Sequence, residues 1–270
     1  MRIATWNVNS VRARAPRIVD WLERSDVDVL AMQEIKCKTE QFPYEAFEAA
    51  GYEVQAHGFS QWNGVAIASR LPMVEVERDL PGQPGYANTG EPVVEARAMA
   101  ATVEGVRMWS LYVPNGRELG HAHYDYKLAW LRALGDLSRG WRGQPLALMG
   151  DFNIAPLDTD VWDITAFDGS THVSQPERDA FQSLLDAGLV DVVRDRAPGY
   201  TYWDYKAGRW NKNEGMRIDF VLGTPELAEL VGRASIHRDE RSGDAPSDHV
   251  PVVVDLDLET ELDDDRPMIF

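Results

Sequence analysis

An α/β fold, with helices layered around packed sheets, is what the 270-residue sequence predicts. Three observations lead there. Short apolar or alternating runs, rich in β-branched residues, recur along the chain. Stretches with apolar residues at helical spacing interrupt them. No linker, repeat or low-complexity tract divides the chain, so both patterns belong to one unit.

Taken in order, Ile3 to Val8 reads as a first strand. Val11 to Arg24 reads as a helix with Ile18, Trp21 and Leu22 inward and Ser10 as its N-cap. Val27 to Met32, Gly64 to Ala68, Val93 to Val103 and Val106 to Val113 are strand-like. His123 to Ser138 is amphipathic, with Tyr124, Leu128, Leu131, Leu134 and Leu137 on one face. Leu146 to Met149 is apolar on both faces, as a central strand should be. Pro176 and Glu177 open a third helix, with Phe181, Leu184 and Leu185 inward and Gly188 as its stop. Arg217 to Leu222 and Val250 to Leu258 complete the strands, the last ending in a period-two pattern.

Apolar residues make up 44% and charged residues 26%, which excludes a wholly disordered chain. No apolar run approaches the ~18 residues that cross a bilayer. Polar groups near the N-terminus stand where a signal peptide would be apolar. Cys37 is the single cysteine, so no intrachain disulfide forms. The expected address is the cytoplasm, with no membrane partner and a monomeric state. Lys and Arg number 27 against 44 Asp and Glu, a net charge of −17. That argues against coating DNA by bulk electrostatics. It leaves room for an enzyme with a local basic rim around an acidic, metal-loaded centre. Residues 1–258 are expected to form one domain. Residues 259–270, with five acids between Glu259 and Asp265, read as a solvated tail.

Six polar clusters sit at or near the ends of strand-like runs: Trp6 to Ser10, Gln33 to Lys36, Tyr112 to Gly116, Gly150 to Ile154, Arg217 to Phe220 and Ser247 to His249. Alone, each fits a turn, a cap or a solvated acid. Together they supply carboxylates, carboxamides, a phenol and one imidazole, at positions where a rigid scaffold presents converging side chains. Without cysteine or a spaced His pair, this set of hard oxygen ligands suits Mg²⁺ or Mn²⁺ rather than zinc.

The ordered set resembles the endonuclease/exonuclease/phosphatase superfamily, and more narrowly its exonuclease III branch of apurinic/apyrimidinic (AP) endonucleases. The resemblance runs from Met1 to about Leu258. Its carriers are Trp6 to Arg12, Gln33-Glu34-Ile35-Lys36, Trp62-Asn63-Gly64-Val65-Ala66, Asp151 to Pro156, Gly188 to Asp191 and Arg217-Ile218-Asp219. It implies a four-layer α/β sandwich of the DNase I-like kind, with two mixed β-sheets face to face and helices outside.

The same resemblance implies roles. Glu34 matches the principal metal-ligating carboxylate, with Asn7 nearby and Asp248 as a metal-side ligand or supporting acid. Asp151, also beside the metal, matches the group that orients or deprotonates the attacking water, and Asn153 helps hold it. His249 matches the imidazole that contacts the scissile phosphate, Asp219 the carboxylate that orients it, and Tyr112 the phenol at the phosphate or leaving oxygen. Tyr202, Trp203, Met216 and Ile218 fall where that branch places an apolar pocket for a base-free sugar. Arg12, Lys36, Arg117, Lys127, Lys206, Arg209 and Lys212 lie in or beside these loops as candidate phosphate contacts, and Asn115 stands where relatives hold the strand beyond the break. His172 reads as part of the loop before the third helix and Cys37 as a bystander.

The function so implied is a Mg²⁺- or Mn²⁺-dependent DNA repair nuclease. It would cut 5′ to abasic sites in double-stranded DNA and act at 3′ ends as an exonuclease and phosphatase. A phosphatase of a small ester or lipid headgroup, using the same chemistry, is the alternative; a silent DNA-binding scaffold is disfavoured by the full residue set. Ser60-Gln61 replaces a basic residue common in relatives, and with the charge of −17 this predicts weaker, more salt-sensitive DNA affinity than that of a basic relative, carried by few phosphate contacts.

Overall fold

The computed structural model describes residues 1–258, so the acidic-tail expectation lies outside the described residues. Two six-stranded mixed sheets face one another. The first contains β1 (Arg2–Asn7), β2 (Val29–Gln33), β3 (Glu53–His57), β4 (Val65–Ser69), β11 (Val231–Ile236) and β12 (Val252–Leu256), in the order β11-β12-β1-β2-β4-β3. The second contains β5 (Val74–Arg78), β6 (Ala98–Val103), β7 (Val106–Tyr112), β8 (Leu146–Asp151), β9 (Val190–Asp191) and β10 (Asp219–Gly223), in the order β5-β6-β7-β8-β10-β9. The pairs β1–β2 and β7–β8 are parallel; the other paired strands are antiparallel.

Helices close the outer faces. α1 (Val11–Ser25) and α2 (Tyr44–Ala49) cover the first sheet, where Ile18, Trp21, Leu22 and Phe47 pack with Trp6, Leu30 and Met32. α3 (Ala122–Ser138) and α4 (Gln175–Asp186) cover the second, with Trp130, Leu134, Phe181 and Leu184 on Leu148, Phe220 and Leu222. Two short helices, α5 (Arg209–Lys212) and α6 (Pro225–Glu229), lie in connections. Each fully buried Leu, Ile or Phe contributes about 1.5–3 kcal/mol relative to exposure.

Strand alternation places the functional groups. Successive residues point to opposite faces, so i and i+2 share one. Ile3 faces the inter-sheet core and Ala4 the helices, which puts Asn7 on the inner face of β1. The same count puts Gln33 inside after Val29 and Ala31, Tyr112 inside after Val106 and Met108, and Asp151 inside after Ala147 and Met149. Asp219 lies inside two residues before Val221. Gly150 sits between, where a Cβ would lie 1.9 Å from Leu111 O; only glycine lets β7 and β8 pair so closely there.

The structure departs from the sequence reading in particulars. Ser10 precedes α1 at φ 87° and its side chain does not cap the helix; its N–H instead donates to Glu34 O at 2.7 Å. β6 starts at Ala98, because Val93 and Val94 are exposed in an irregular segment after Pro92. The buried face of α3 is rotated: Trp130 and Lys127 are fully buried, whereas Leu128 and Leu137 are half-buried. β3, β5, β9 and β11, and the short helices α2, α5 and α6, lie outside that reading.

Candidate active site

The inward-facing strand ends of both sheets converge. Asn7 on β1 donates from Nδ2 to Glu34 Oε1 at 2.8 Å and to Asp151 Oδ2 at 3.0 Å, so one carboxamide ties the two sheets together. Parallel pairing sets Tyr112 beside Asp151, and antiparallel pairing sets Asp219 on its other side. His249, just before β12, places Nδ1 at 2.8 and 3.1 Å from the two Asp219 oxygens and Nε2 at 3.8 Å from Asp151 Oδ2. Thr201 Oγ1 donates to Asp219 Oδ2 at 2.6 Å. The peptide around His249 is also held, its N–H by Ser247 Oγ and its C=O by the Trp6 indole.

Connecting loops carry the strain. Glu34, Lys36, Asn9 and Asn153 adopt φ of 51°, 51°, 43° and 52°, left-handed values that cost of order 1 kcal/mol each outside glycine. Such conformations persist only where neighbours enforce them, and here Ile35 N–H donates to Gly64 O and Lys36 N–H to Asn63 O. The bend after Gln33 swings Glu34 toward Asn7 and Tyr112.

Electrostatics separate the roles. Burial pushes the Asp151 carboxyl up, and nearby Asp219 and Glu34 push it further, to about 7 despite His249 and Asn7. Burial pulls His249 down, but Asp219 and Asp151 outweigh it and raise the imidazole to about 10. Burial also opposes ionisation of Glu34, yet the Lys36 ammonium at 2.6 Å and the Asn7 amide hold it below the usual carboxylate range. Burial, reinforced by Glu34, keeps the Tyr112 phenol protonated. A buried carboxyl able to take a proton near neutral pH thus lies beside an imidazolium whose Nε2–H is free to donate, since Asp219 occupies Nδ1.

Glu34, Asp151 and His249 offer ligand atoms within 4.8 Å of one another. An imidazolium cannot ligate a cation, so the donors left are the two carboxylates, and oxygen donors without thiolate fit a hard divalent ion. Of the two other residues expected beside the metal, Asn7 lies against both carboxylates and Asp248 is engaged by Asn9. Asn7 presents its nitrogen to both carboxylates because its Oδ1 accepts the Asn9 N–H at 3.0 Å. Asp248 accepts from Asn9 Nδ2 at 2.9 Å.

The pocket and rim residues divide likewise. Tyr202 and Met216 line a cavity of about 420 Å³ with Trp162, Phe167, His172 and Arg209. Ile218 is buried beneath Met216 with Ala155 and Val161. Trp203, also expected in that pocket, is buried and borders a different cavity, with Asn213 holding its indole N–H. Of the expected phosphate contacts, Lys127 is contradicted: it is fully buried and paired with Glu177. Lys36 salt-bridges Glu34, and Asn115 donates to Asn153 Oδ1 at 3.0 Å. Arg12, Arg117, Lys206 and Lys212 are exposed, while Arg209 pairs with Glu214 and stacks over Trp162.

Sequence reasoning passes over two participants, Thr201 and Arg97, and reads a third, His172, only as part of a loop. Thr201 anchors Asp219. Arg97, buried, donates to Tyr112 O and lies 4.8 Å over the Tyr112 ring; a charge inside the apolar run Val93 to Val103 was its signal. His172 lies 3.2 Å from Asn153 Oδ1, with no local signal to find it.

A profile of the endonuclease/exonuclease/phosphatase family matches residues 4–249, which include every one of these groups. The chain belongs to that family. Exodeoxyribonuclease III of Haemophilus influenzae is 30% identical over 93% of this chain and 98% of its own. The 3′ phosphatase NExo from Neisseria, solved with product DNA hairpin, is 36% identical with a TM-score of 0.87, covering 96% of this chain and 100% of that one. An AP endonuclease from Archaeoglobus fulgidus is 32% identical, also with a TM-score of 0.87 and coverage of 96% and 100%. The two mixed sheets with flanking helices are the DNase I-like fold of this family.

Proposed function

We propose that the protein is a divalent-metal-dependent DNA repair nuclease that hydrolyses the phosphodiester 5′ to abasic sites and processes 3′ ends as an exonuclease and phosphatase. The observation that carries this is the adjacency of Asp151 and His249 at 3.8 Å, with protonation tendencies pushed in useful directions, beside the anionic Glu34.

Asp151 takes the proton of the attacking water as its oxygen approaches phosphorus. Asn153 Nδ2 holds the Asp151 carboxylate at 3.2 Å. The His249 imidazolium, oriented by Asp219, donates to a phosphoryl oxygen where negative charge grows. The Tyr112 phenol is a neutral donor facing the same space. Glu34 and Asp151 would hold a Mg²⁺ or Mn²⁺ ion, which when bound would supply positive charge against the phosphate. The bond from phosphorus to the bridging 3′ oxygen breaks, and that oxygen takes a proton from solvent to become a 3′-hydroxyl.

The 420 Å³ cavity, walled by Tyr202 and Met216, supports a sugar without a base as the group beyond the phosphate. The similarity to a 3′ phosphatase supports 3′ ends as substrates of the same centre. Residues of one chain build the whole site, which supports action as a monomer. A buried, unpaired Cys37 fits a cytoplasmic address.

The test incubates a labelled duplex carrying one abasic analogue, a duplex with a 3′-phosphate and an inositol phosphate, each with Mg²⁺ and with chelator. Metal-dependent incision of the first, ending in a 3′-hydroxyl, is expected, as is phosphate release from the second. Turnover of only the inositol phosphate refutes the proposal; turnover of only the 3′-phosphate removes its abasic part.

A further inference from the structure

Beneath the site lies a charged pair with no place in the chemistry above. Lys127 on α3 and Glu177 at the start of α4 are both fully buried and bonded to one another. Two full charges removed from water cost several kcal/mol each unless their hydrogen bonds are filled, and replacing such a pair by apolar residues is often neutral or stabilising. Its persistence in a dry position calls for a use beyond holding two helices together.

The other bonds of Lys127 run to the loops that carry Asn115 and Asn153, and those of Glu177 run to the segment Thr171 to Ser174 ahead of α4, where it also forms a capping box with Ser174. Lys127 Nζ donates to Asn153 O at 2.6 Å and to Asn115 O at 3.2 Å. Glu177 Oε1 accepts from Thr171 Oγ1 at 2.6 Å and from His172 N at 3.0 Å, and its Oε2 accepts from Ser174 N at 3.1 Å. Thr171 Oγ1 also lies 3.2 Å from Asn115 O. Gly116 fits between: at φ 93°, a Cβ there would meet Thr171 Oγ1 at 2.6 Å and Lys127 Cδ at 3.1 Å. Above this base the side chains of Asn115, Asn153 and His172 meet within 3.2 Å, and Asn153 Nδ2 reaches Asp151 Oδ2.

We infer that the Lys127–Glu177 pair is a positioning element of the active centre, clamping the backbones of Asn115, Asn153 and His172 so that the Asn153 carboxamide is held on Asp151. Lys127 and Glu177 touch neither phosphate nor water; they act through Asn153. The pair fixes left-handed backbone at Asn153 and His172 (φ 52° and 80°), which two apolar residues could not. This inference rests on the assignment of Asp151 and Asn153 to water activation.

The test uses the full chain and the double substitution Lys127→Met with Glu177→Met, which leaves no buried charge unpaired. Two readouts are taken: kcat and KM on the best phosphoester substrate of the wild type, and the Asn115 and Asn153 side-chain amide signals in a ¹⁵N NMR spectrum without metal. A folded double variant is expected to lose about 100-fold in kcat, roughly 2.7 kcal/mol at 1.36 per decade, with KM within about threefold and both amide signals displaced. A folded variant that keeps kcat within about threefold, or leaves the amide signals in place, overturns the inference. Should the double variant not fold, Thr171→Val decides, because it removes only the hydroxyl bridging Glu177 and Asn115. A kcat loss of about fivefold with displaced Asn115 and Asn153 signals supports the clamp, and unchanged kcat or signals refutes it. The amide signals report on positioning whether or not DNA is the substrate, so failure of the nuclease assignment is read separately, as a wild type inactive on DNA.

Discussion

Replacing Asp219 by Asn keeps shape and removes one charge at the centre of the site. Asp219 Oδ2 and Oδ1 lie 2.8 and 3.1 Å from His249 Nδ1, and it is the leading anion that raises the imidazole to about 10 against the downward pull of burial. In Asp219→Asn, burial prevails against the more distant Asp151, and His249 becomes neutral in the alkaline range where the wild type holds its proton. Losing one strong donor to the developing phosphoryl charge costs about 3–4 kcal/mol, a fall of 10²–10³ in kcat. The assay is kcat against pH on a duplex with one abasic analogue. In the wild type, Asp151 must be ionised, so the rate rises as pH climbs through about 7, and from a lower pH once a cation stands beside the carboxylate. His249 must be protonated, so the rate falls as pH passes about 10. Asp219→Asn draws the alkaline limb down into or below the neutral range. A variant within about fivefold of wild-type kcat, with its alkaline limb unmoved, refutes the assignment of His249 as charged donor.

Three further outcomes are expected. Glu34→Gln removes the carboxylate most exposed to an incoming cation, so activity falls by at least about tenfold and partly recovers at high Mg²⁺, read by metal titration. His123 is buried and held neutral: burial and the Arg97 and Arg117 charges lower it from 6.5 to about 4, and its Nδ1 accepts the Gly116 N–H. Between those values the unfolded chain binds a proton that the folded one refuses, so stability falls as pH drops through that window, by up to about 3 kcal/mol; denaturation of His123→Asn, whose urea midpoint should vary less with pH, checks it. With four exposed cations among the expected phosphate contacts (Arg12, Arg117, Lys206 and Lys212) and Arg209 paired with Glu214, log affinity for duplex DNA against log salt should have a slope no steeper than about −5.

Legibility followed burial. All eight interior strands were readable, because a strand with two neighbours buries both faces and shows as an apolar run, as Leu146 to Met149 does. The four missed strands, β3, β5, β9 and β11, are the edges of the two sheets. Val74-Glu75-Val76-Glu77-Arg78 is mostly exposed and polar, which is how edges discourage further pairing and also how they hide from periodicity. The acids and the imidazole were legible because they end buried runs. Lys127 was misread because a lysine among apolar residues on a helix looks like a surface charge, and its partner is fifty positions away. Trp203 and Tyr202 are adjacent in a strand-like segment and so face opposite ways; sequence proximity alone could not say which met the cavity.

The alternation that fills the space between the sheets with Ile3, Ala147, Met149 and Val221 is the same count that delivers Asn7, Asp151 and Asp219 to one rim. A slip of one residue in β8 would expel Met149 from the oily interior and turn Asp151 toward the helices in the same movement. A one-residue slip therefore cannot disable the site and spare the core, and in rising denaturant catalysis and tertiary structure should vanish at one midpoint.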